Sequence, residues 1–162
     1  MIEDYLSLAE RIRQELDNLW RVVKRAERAV DAARRQAEDQ DLYIDSVVLN
    51  LHDFYSGLER VFQQIGTTVD GHLPSGADWH RDLLNQMQDE MTDLRPPVLS
   101  QEAGQSLDEF LRFRHVVRNI YAFRFDPERV QHLVDLMQPV LEQVQTELLA
   151  FVSFLERVGG DR

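Results

Sequence analysis

The stretch IEDYLSLAERIRQELDNLWRVVKRAERAVDAARRQA, from Ile2 to Ala37, decides the fold of this chain. It contains no Gly or Pro, and apolar residues recur in alternating steps of three and four at Ile2, Tyr5, Ala9, Ile12, Leu16, Leu19, Val23, Ala26, Val30, Ala33 and Ala37. Such a repeat is typical of a helix that packs along a neighbouring helix. It predicts a long first helix, from about 2 to 38. The apolar seam of 11 positions exceeds what one ordinary partner helix covers, so it also predicts a dimer.

Four further helices follow the same periodicity, and turn-forming residues separate them. The second is predicted from about 42 to 69 and the third from Trp79 to about 94, where Arg95-Pro96-Pro97 stops it. Ser100 is expected to cap the fourth helix, and Asp126 the fifth, which continues to about 159 and can bend at Pro139. No segment alternates like a strand. We therefore predict an all-α, up-and-down bundle of about five helices in a single domain, residues 1–162, with the core bundle over about 42–159.

Composition narrows the function. The 162 residues carry a formal net charge of −11, which argues against sequence-blind coating of nucleic acid but leaves room for a local basic pocket. The chain has no Cys, so disulfides and thiolate sites are excluded. His72 and His80 have no second ligand at helical spacing, so neither a metal site nor a cofactor is expected. No stretch approaches the ~18 apolar residues needed to cross a bilayer, and we expect a cytoplasmic protein without a membrane partner.

The acidic chain contains one basic island, RFRHVVRNIYAFRFD, from Arg112 to Asp126, with four arginines and no acid before its last residue. On a helical wheel, Arg114, Arg118 and Tyr121 share one flank of the fourth helix, whereas Asn119 points nearly the opposite way. Arginines at the border of an apolar stripe often lie beside the core for packing alone. A basic cluster in an acidic protein otherwise indicates an anion-binding site.

The spacing within this island resembles a known motif. Arg114, four residues, Asn119, one residue and Tyr121 match the Arg, His and Tyr signature of HEPN-domain ribonucleases, with Asn in place of the His. From about Leu42 onward the chain resembles the HepT-like ribonuclease toxins of that superfamily. The resemblance implies a metal-independent endoribonuclease that dimerises so that two motif segments face each other across a cleft. It also implies a cognate antitoxin, a minimal nucleotidyltransferase.

Carried over by position, the resemblance assigns roles within the island. Arg114 would bind the scissile phosphate, with Arg112 and Arg118 contributing further phosphate contacts. Tyr121 would position RNA and would be the residue on which the antitoxin places AMP. Asn119 stands where the catalytic His is expected, and a carboxamide cannot exchange protons near neutral pH, so cleavage is predicted to be impaired. His115 is a candidate replacement base, although its spacing from the nearest arginine is too short for the motif.

Two alternatives remain open on the sequence alone. The chain could be a non-enzymatic interaction module that binds a partner or itself through its long first helix, with a purely structural arginine cluster. Alternatively, Asn119 could be a deliberate replacement that makes a toxic protein expressible. The RNA target and the packing of the first helix, within or between subunits, stay undecided at this point.

Overall fold

The computed structural model describes residues 2–117 and 126–160, without the side chain of Ile2. Within these ranges five helices follow one another: α1 (Ile2–Arg35), α2 (Gln40–Ile65), α3 (Trp79–Gln88), α4 (Gln101–Val117) and α5 (Pro127–Gly160). Over the described residues the only β-type pairing is an isolated bridge between Met91 and Arg95. The predicted all-α bundle with a long first helix is therefore confirmed. None of the helices in this part of the chain is long and apolar enough to span a bilayer.

The apolar seam of α1 is covered within the same chain, by α2 along one side and by α5 along the other. Its residues from Ala9 to Ala33 are buried in the common core. At Gly57, α1 and α2 approach so closely that a Cβ atom there would lie 2.8 Å from Cδ2 of Leu19. The seam therefore needs no second subunit, and the inference from its length to a dimer was wrong. A homodimer stays a prediction on the family resemblance alone.

Helix α1 ends at Arg35, earlier than the predicted residue 38. Beyond it, the Gln40 side chain donates a 3.2 Å hydrogen bond to the Ala33 carbonyl, and the Tyr43 hydroxyl donates to Oε1 of Gln36. The first bond satisfies a carbonyl at the end of α1, and both bonds connect that end to the start of α2. Ala37, the last position of the apolar repeat, is exposed outside the helix.

The predicted second helix is present, but its last turn has a wider π-helical form over Gly66–Asp70. Gly71 ends this turn with a φ of 78°, a left-handed conformation that glycine adopts without strain. The turn brings Asp70 to a buried position beside the segment that follows α3.

Helix α3 stops at Gln88 rather than at about 94, so that boundary was wrong. The chain leaves the helix for a tight turn in which Asp93 has a φ of 64°. Arg95 makes this early end possible, because its guanidinium donates to the carbonyl of Gln86 at 3.1 Å and of Asp89 at 2.9 Å. A side chain beyond the helix thus caps carbonyls that a longer helix would have bonded internally.

Both predicted caps are confirmed. Oγ of Ser100 accepts a 3.1 Å hydrogen bond from the N–H of Ala103, and Oδ1 of Asp126 accepts one of 3.0 Å from the N–H of Glu128. Helix α5 continues through Pro139 without interruption. Together these boundaries place the second half of α2, the start of α3 and the end of α4 against one another.

Candidate functional site

Arg114 reaches from the last described turn of α4 across to α2. The buried neighbours Phe110 and Phe113 fix the helix against the core, which leaves Arg114 at the border of the apolar face. Its Nε lies 3.4 Å from Oγ of Ser56, and its Nη2 lies 3.6 Å from Oε1 of Glu59. Only 11% of the side chain is exposed. The guanidinium is therefore held in one place and does not extend freely into solvent.

Glu59 is a buried acid on the core side of α2, and it has a second partner besides Arg114. Its Oε2 lies 2.6 Å from Nδ1 of His80, the second residue of α3. The Glu59 side chain is 6% exposed and that of His80 16%. A buried carboxylate needs such partners. Without them it loses its hydration and gains nothing in return, at a cost on the order of several kcal/mol. Glu59 thus links α2, α3 and α4 at one point.

The imidazole of His80 is covered on its faces as well. Nη1 of Arg114 lies 3.2 Å from Nδ1 and 3.3 Å from Nε2. Cε1 lies between the two ring nitrogens. If Nη1 lay in the plane of the ring at these nearly equal distances from both nitrogens, it would collide with Cε1. Nη1 therefore lies over the face of the ring. The indole of Trp79 is also close, with ring centroids 3.6 Å apart, which leaves the opposite face to Arg114.

This arrangement fixes the tautomer of His80. The Glu59 carboxylate is an acceptor, so Nδ1 donates its proton to it. In the neutral ring the lone pair is then on Nε2. Nδ1 is turned toward the buried Glu59, and His80 is also one of the residues that line a neighbouring pocket.

The pocket has a volume of about 430 Å³ and lies between the start of α3 and the end of α4. Its basic lining residues are His80, Arg81, Arg112, Arg114 and His115. Asp108 ion-pairs with both Arg81 and Arg112, at 3.0 Å from Nε of the latter, and so ties α3 to α4 at the rim. Asp78 also contributes to the wall. The pocket is large enough for a nucleotide-sized group, and three of its lining residues are arginines.

The residues that the structure describes include only part of the predicted site. Arg112 and Arg114 line the same pocket, and His115 lies beside them. Arg118, Asn119 and Tyr121 lie outside the described residues, and so does the flank that Arg118 and Tyr121 were predicted to share with Arg114. In residues 2–117 and 126–160, no group of three or more His, Asp or Glu side chains is placed to hold a metal ion.

Sequence reasoning missed Glu59 and His80. Glu59 left one signal: it is an acid at a core-facing position, four residues after the buried Tyr55 and three before the buried Phe62. A charge there requires a buried partner. Nothing in the sequence indicates which partner, because His80 and Arg114 are 21 and 55 positions away along the chain.

Comparison with known proteins identifies a family for this chain. No curated protein and no solved structure matches the chain. A protein-family model described as HepT-like protein matches residues 46–155, more than half of the chain. The matched range contains Glu59, His80 and Arg114 and begins after α1. The chain therefore belongs to the HepT-like protein family.

Proposed function

We propose that this chain is a toxin component of the HepT-like type that binds RNA in the pocket between α3 and α4, with a ribonuclease site impaired at Asn119. The observation that carries the proposal is the position of Arg114. The motif arginine is fixed at the wall of a pocket by Glu59 and His80, and Arg81 and Arg112 stand at the same pocket. A purely structural arginine would also pair with Glu59, so further support comes from Arg81 and Arg112, which share the single carboxylate of Asp108 at the same opening.

The chemistry of these groups fits a phosphate chain. A guanidinium holds phosphate oxygens in a fixed fork, and its charge does not titrate in the working range of an enzyme. Cleavage of RNA also needs a group that takes a proton from the 2′-hydroxyl, which the carboxamide of Asn119 cannot do. Loss of such acid–base catalysis typically costs about 10² to 10⁴ in rate. RNA binding should therefore outlast efficient cleavage.

The partners follow from the same proposal. The chain would act as a homodimer in the cytoplasm, with a minimal nucleotidyltransferase as its antitoxin. Tyr121 would accept AMP from that partner, and the added group would block RNA. A gene for a small nucleotidyltransferase beside this one would support the pairing.

The test is RNA binding by arginine variants over a series of salt concentrations. We expect Arg112→Ala, and the double variant Arg114→Ala/Arg118→Ala, to weaken binding to single-stranded RNA. Each phosphate contact that a variant removes should reduce the slope of log K against log salt by about 0.7. The matched control is Arg25→Ala/Arg28→Ala, which removes two exposed arginines from α1, away from the pocket.

The outcomes are distinct. Circular dichroism should first show that the variants remain helical, since Arg114→Ala leaves the buried Glu59 without one partner. If folded pocket variants bind RNA as the control does, the arginines are structural. The chain would then be a helical interaction module.

A further inference from the structure

Resting on this proposed function, we infer that His80, oriented by Glu59, is an acid–base group of the same pocket and carries a slow cleavage of RNA that does not use Asn119. The site thus contains an imidazole after all, supplied by α3 instead of by the motif segment.

The first argument is the pairing of His80 with Glu59. Nδ1 lies 2.6 Å from a carboxylate that is 6% exposed, so the ring is fixed by a strong, buried hydrogen bond. In the neutral ring this bond keeps the proton on Nδ1, so the lone pair is on Nε2. A carboxylate that orients an imidazole in this manner is the usual support of a histidine base.

The second argument is the position of His80 relative to Arg114. Nη1 of Arg114 lies 3.3 Å from Nε2 of His80. A phosphate oxygen that is bound to this guanidinium, at about 2.8 Å, therefore lies beside the imidazole. The ribose of the same nucleotide is then within reach of Nε2, which is the geometry that proton transfer requires.

The third argument is the pocket wall. Glu59 is already paired with Arg114, so charge balance alone does not require a histidine. The ring nevertheless lies at a pocket of about 430 Å³, and 16% of the His80 side chain is exposed. An imidazole needed only for packing would gain nothing from that exposure.

The reaction balances without a metal or a redox partner. Nε2 of His80 accepts the proton of a ribose 2′-hydroxyl, and the 2′-oxygen forms a bond to the adjacent phosphorus. The bond from phosphorus to the 5′-oxygen breaks, and that oxygen takes a proton from water or from the imidazolium. The products are a 2′,3′-cyclic phosphate and a 5′-hydroxyl end. Arg114 compensates the charge of the phosphate throughout.

The decisive variant is His80→Ala, tested with and without added imidazole. We expect the unaltered protein to cleave a mixture of single-stranded oligoribonucleotides slowly in the presence of EDTA and to leave cyclic phosphate ends. His80→Ala should lower the single-turnover rate by about 10² or more, with the dissociation constant for RNA changed by less than about threefold, roughly 0.6 kcal/mol. Free imidazole should restore part of the rate by filling the space beside Glu59, which a structural defect would not allow.

Three further variants serve as controls for this test. His80→Gln keeps a hydrogen-bond donor for Glu59, so it should fold and bind RNA yet remain slow and unresponsive to imidazole. His132→Ala removes a histidine whose side chain is 62% exposed, and it should cleave like the unaltered protein. Arg114→Ala, purified in parallel, should lack the activity and so rules out a contaminating nuclease.

Each result decides a different point. If RNA binds through the arginines but His80→Ala cleaves at the unaltered rate, or is not rescued, this inference is overturned and the proposed function stands. The absence of any cleavage by the unaltered protein overturns it as well. If RNA binding itself is indifferent to Arg112 and Arg114, the proposed function fails, and the role of His80 fails with it.

Discussion

Arg95 and Asp70 form a two-pronged ion pair from which solvent is fully excluded. Nε of Arg95 lies 2.5 Å from Oδ1 of Asp70, and its Nη2 lies 2.9 Å from Oδ2. Neither side chain has any exposed surface. Gln86 adds an amide hydrogen bond of 2.8 Å to the same carboxylate. The pair fastens the turn after α3 to the end of α2 and holds Arg95 where it caps the last carbonyls of α3.

Asp70→Asn should destabilise the fold strongly. The variant keeps the size of the side chain but leaves the Arg95 charge buried without its counter-ion, which typically costs about 3 to 5 kcal/mol. Urea unfolding followed by circular dichroism measures the free energy of unfolding. The double variant Asp70→Asn/Arg95→Met should lose less, since the uncompensated charge is gone.

The control for this prediction is an ion pair of the same type on the surface. Arg35 and Asp31 lie 3.0 Å apart on α1, with side chains 76% and 57% exposed. Arg35→Ala should change the free energy of unfolding by at most about 1 kcal/mol. A similar loss for Asp70→Asn and Arg35→Ala would show that burial of the first pair adds nothing.

Tyr55→Phe should stabilise the protein. Tyr55 is fully buried, and its hydroxyl has no hydrogen-bond partner among the described residues. An unsatisfied buried polar group costs about 1 to 3 kcal/mol, and Phe preserves the ring while removing that group. We expect a gain of about 1 kcal/mol in urea unfolding at neutral pH. A decrease in stability would indicate that the hydroxyl has a partner.

The same variant should change how stability depends on alkaline pH. Burial, and secondarily the negative charge of Glu59, raise the pKa of the Tyr55 phenol above its ordinary value of 10.0. The folded state therefore keeps the phenol neutral while the unfolded chain ionises above about pH 10, so stability falls as pH rises. Tyr55→Phe lacks this contribution. Its advantage in free energy of unfolding should therefore widen between pH 8 and pH 11, and a constant difference would contradict the assignment.

The fold was predictable because its decisive signals are local. The spacing of apolar residues in α1, the Ser100 and Asp126 caps and the absence of strand alternation each depend on residues a few positions apart. The C-terminal end of α3 was not predictable, because it depends on the ion pair between Arg95 and Asp70, which lies 25 positions away. The dimer argument failed for a related reason. A periodic apolar seam indicates that other helices cover the helix. It does not indicate whether those helices belong to the same chain or to a second subunit.

The candidate site, too, was predictable only in part. Arg114 was predicted from the motif and Arg112 from the basic island around it, and both residues line the pocket. His80 was dismissed because a metal site needs a second ligand nearby in sequence. Its actual partner, Glu59, comes from another helix and forms a hydrogen bond instead of a metal site. Such contacts follow from how α2, α3 and α4 pack, which sequence periodicity does not specify.

A homodimer is expected from the family resemblance, since a cleft between two motif segments needs two subunits. Light scattering at micromolar concentration should report about twice the 19.0 kDa chain mass. A monomer at that concentration would remove the composite cleft, while the pocket lined by His80 and Arg114 lies within one chain and would be unaffected.

Finally, Asn119→His should turn a slow protein into an efficient ribonuclease. The substitution returns an ionisable group, with an ordinary pKa of about 6.5, to the motif position that follows Arg114, the proposed phosphate-binding residue. We expect cleavage of mixed RNA in the presence of a chelator to rise by about 10² to 10⁴, and growing cells that express the variant to stop dividing.

The matched control is Asn119→Gln, which keeps a carboxamide and should stay as slow as the unaltered protein. His80→Ala in the Asn119→His background should retain most of the new activity, because the two imidazoles would act independently. Vigorous cleavage by the unaltered protein would mean that Asn119 does not limit the reaction. If Asn119→His binds RNA through Arg114 and yet gains no activity, the match to the motif is accidental, and the arginines serve binding without a catalytic role for position 119.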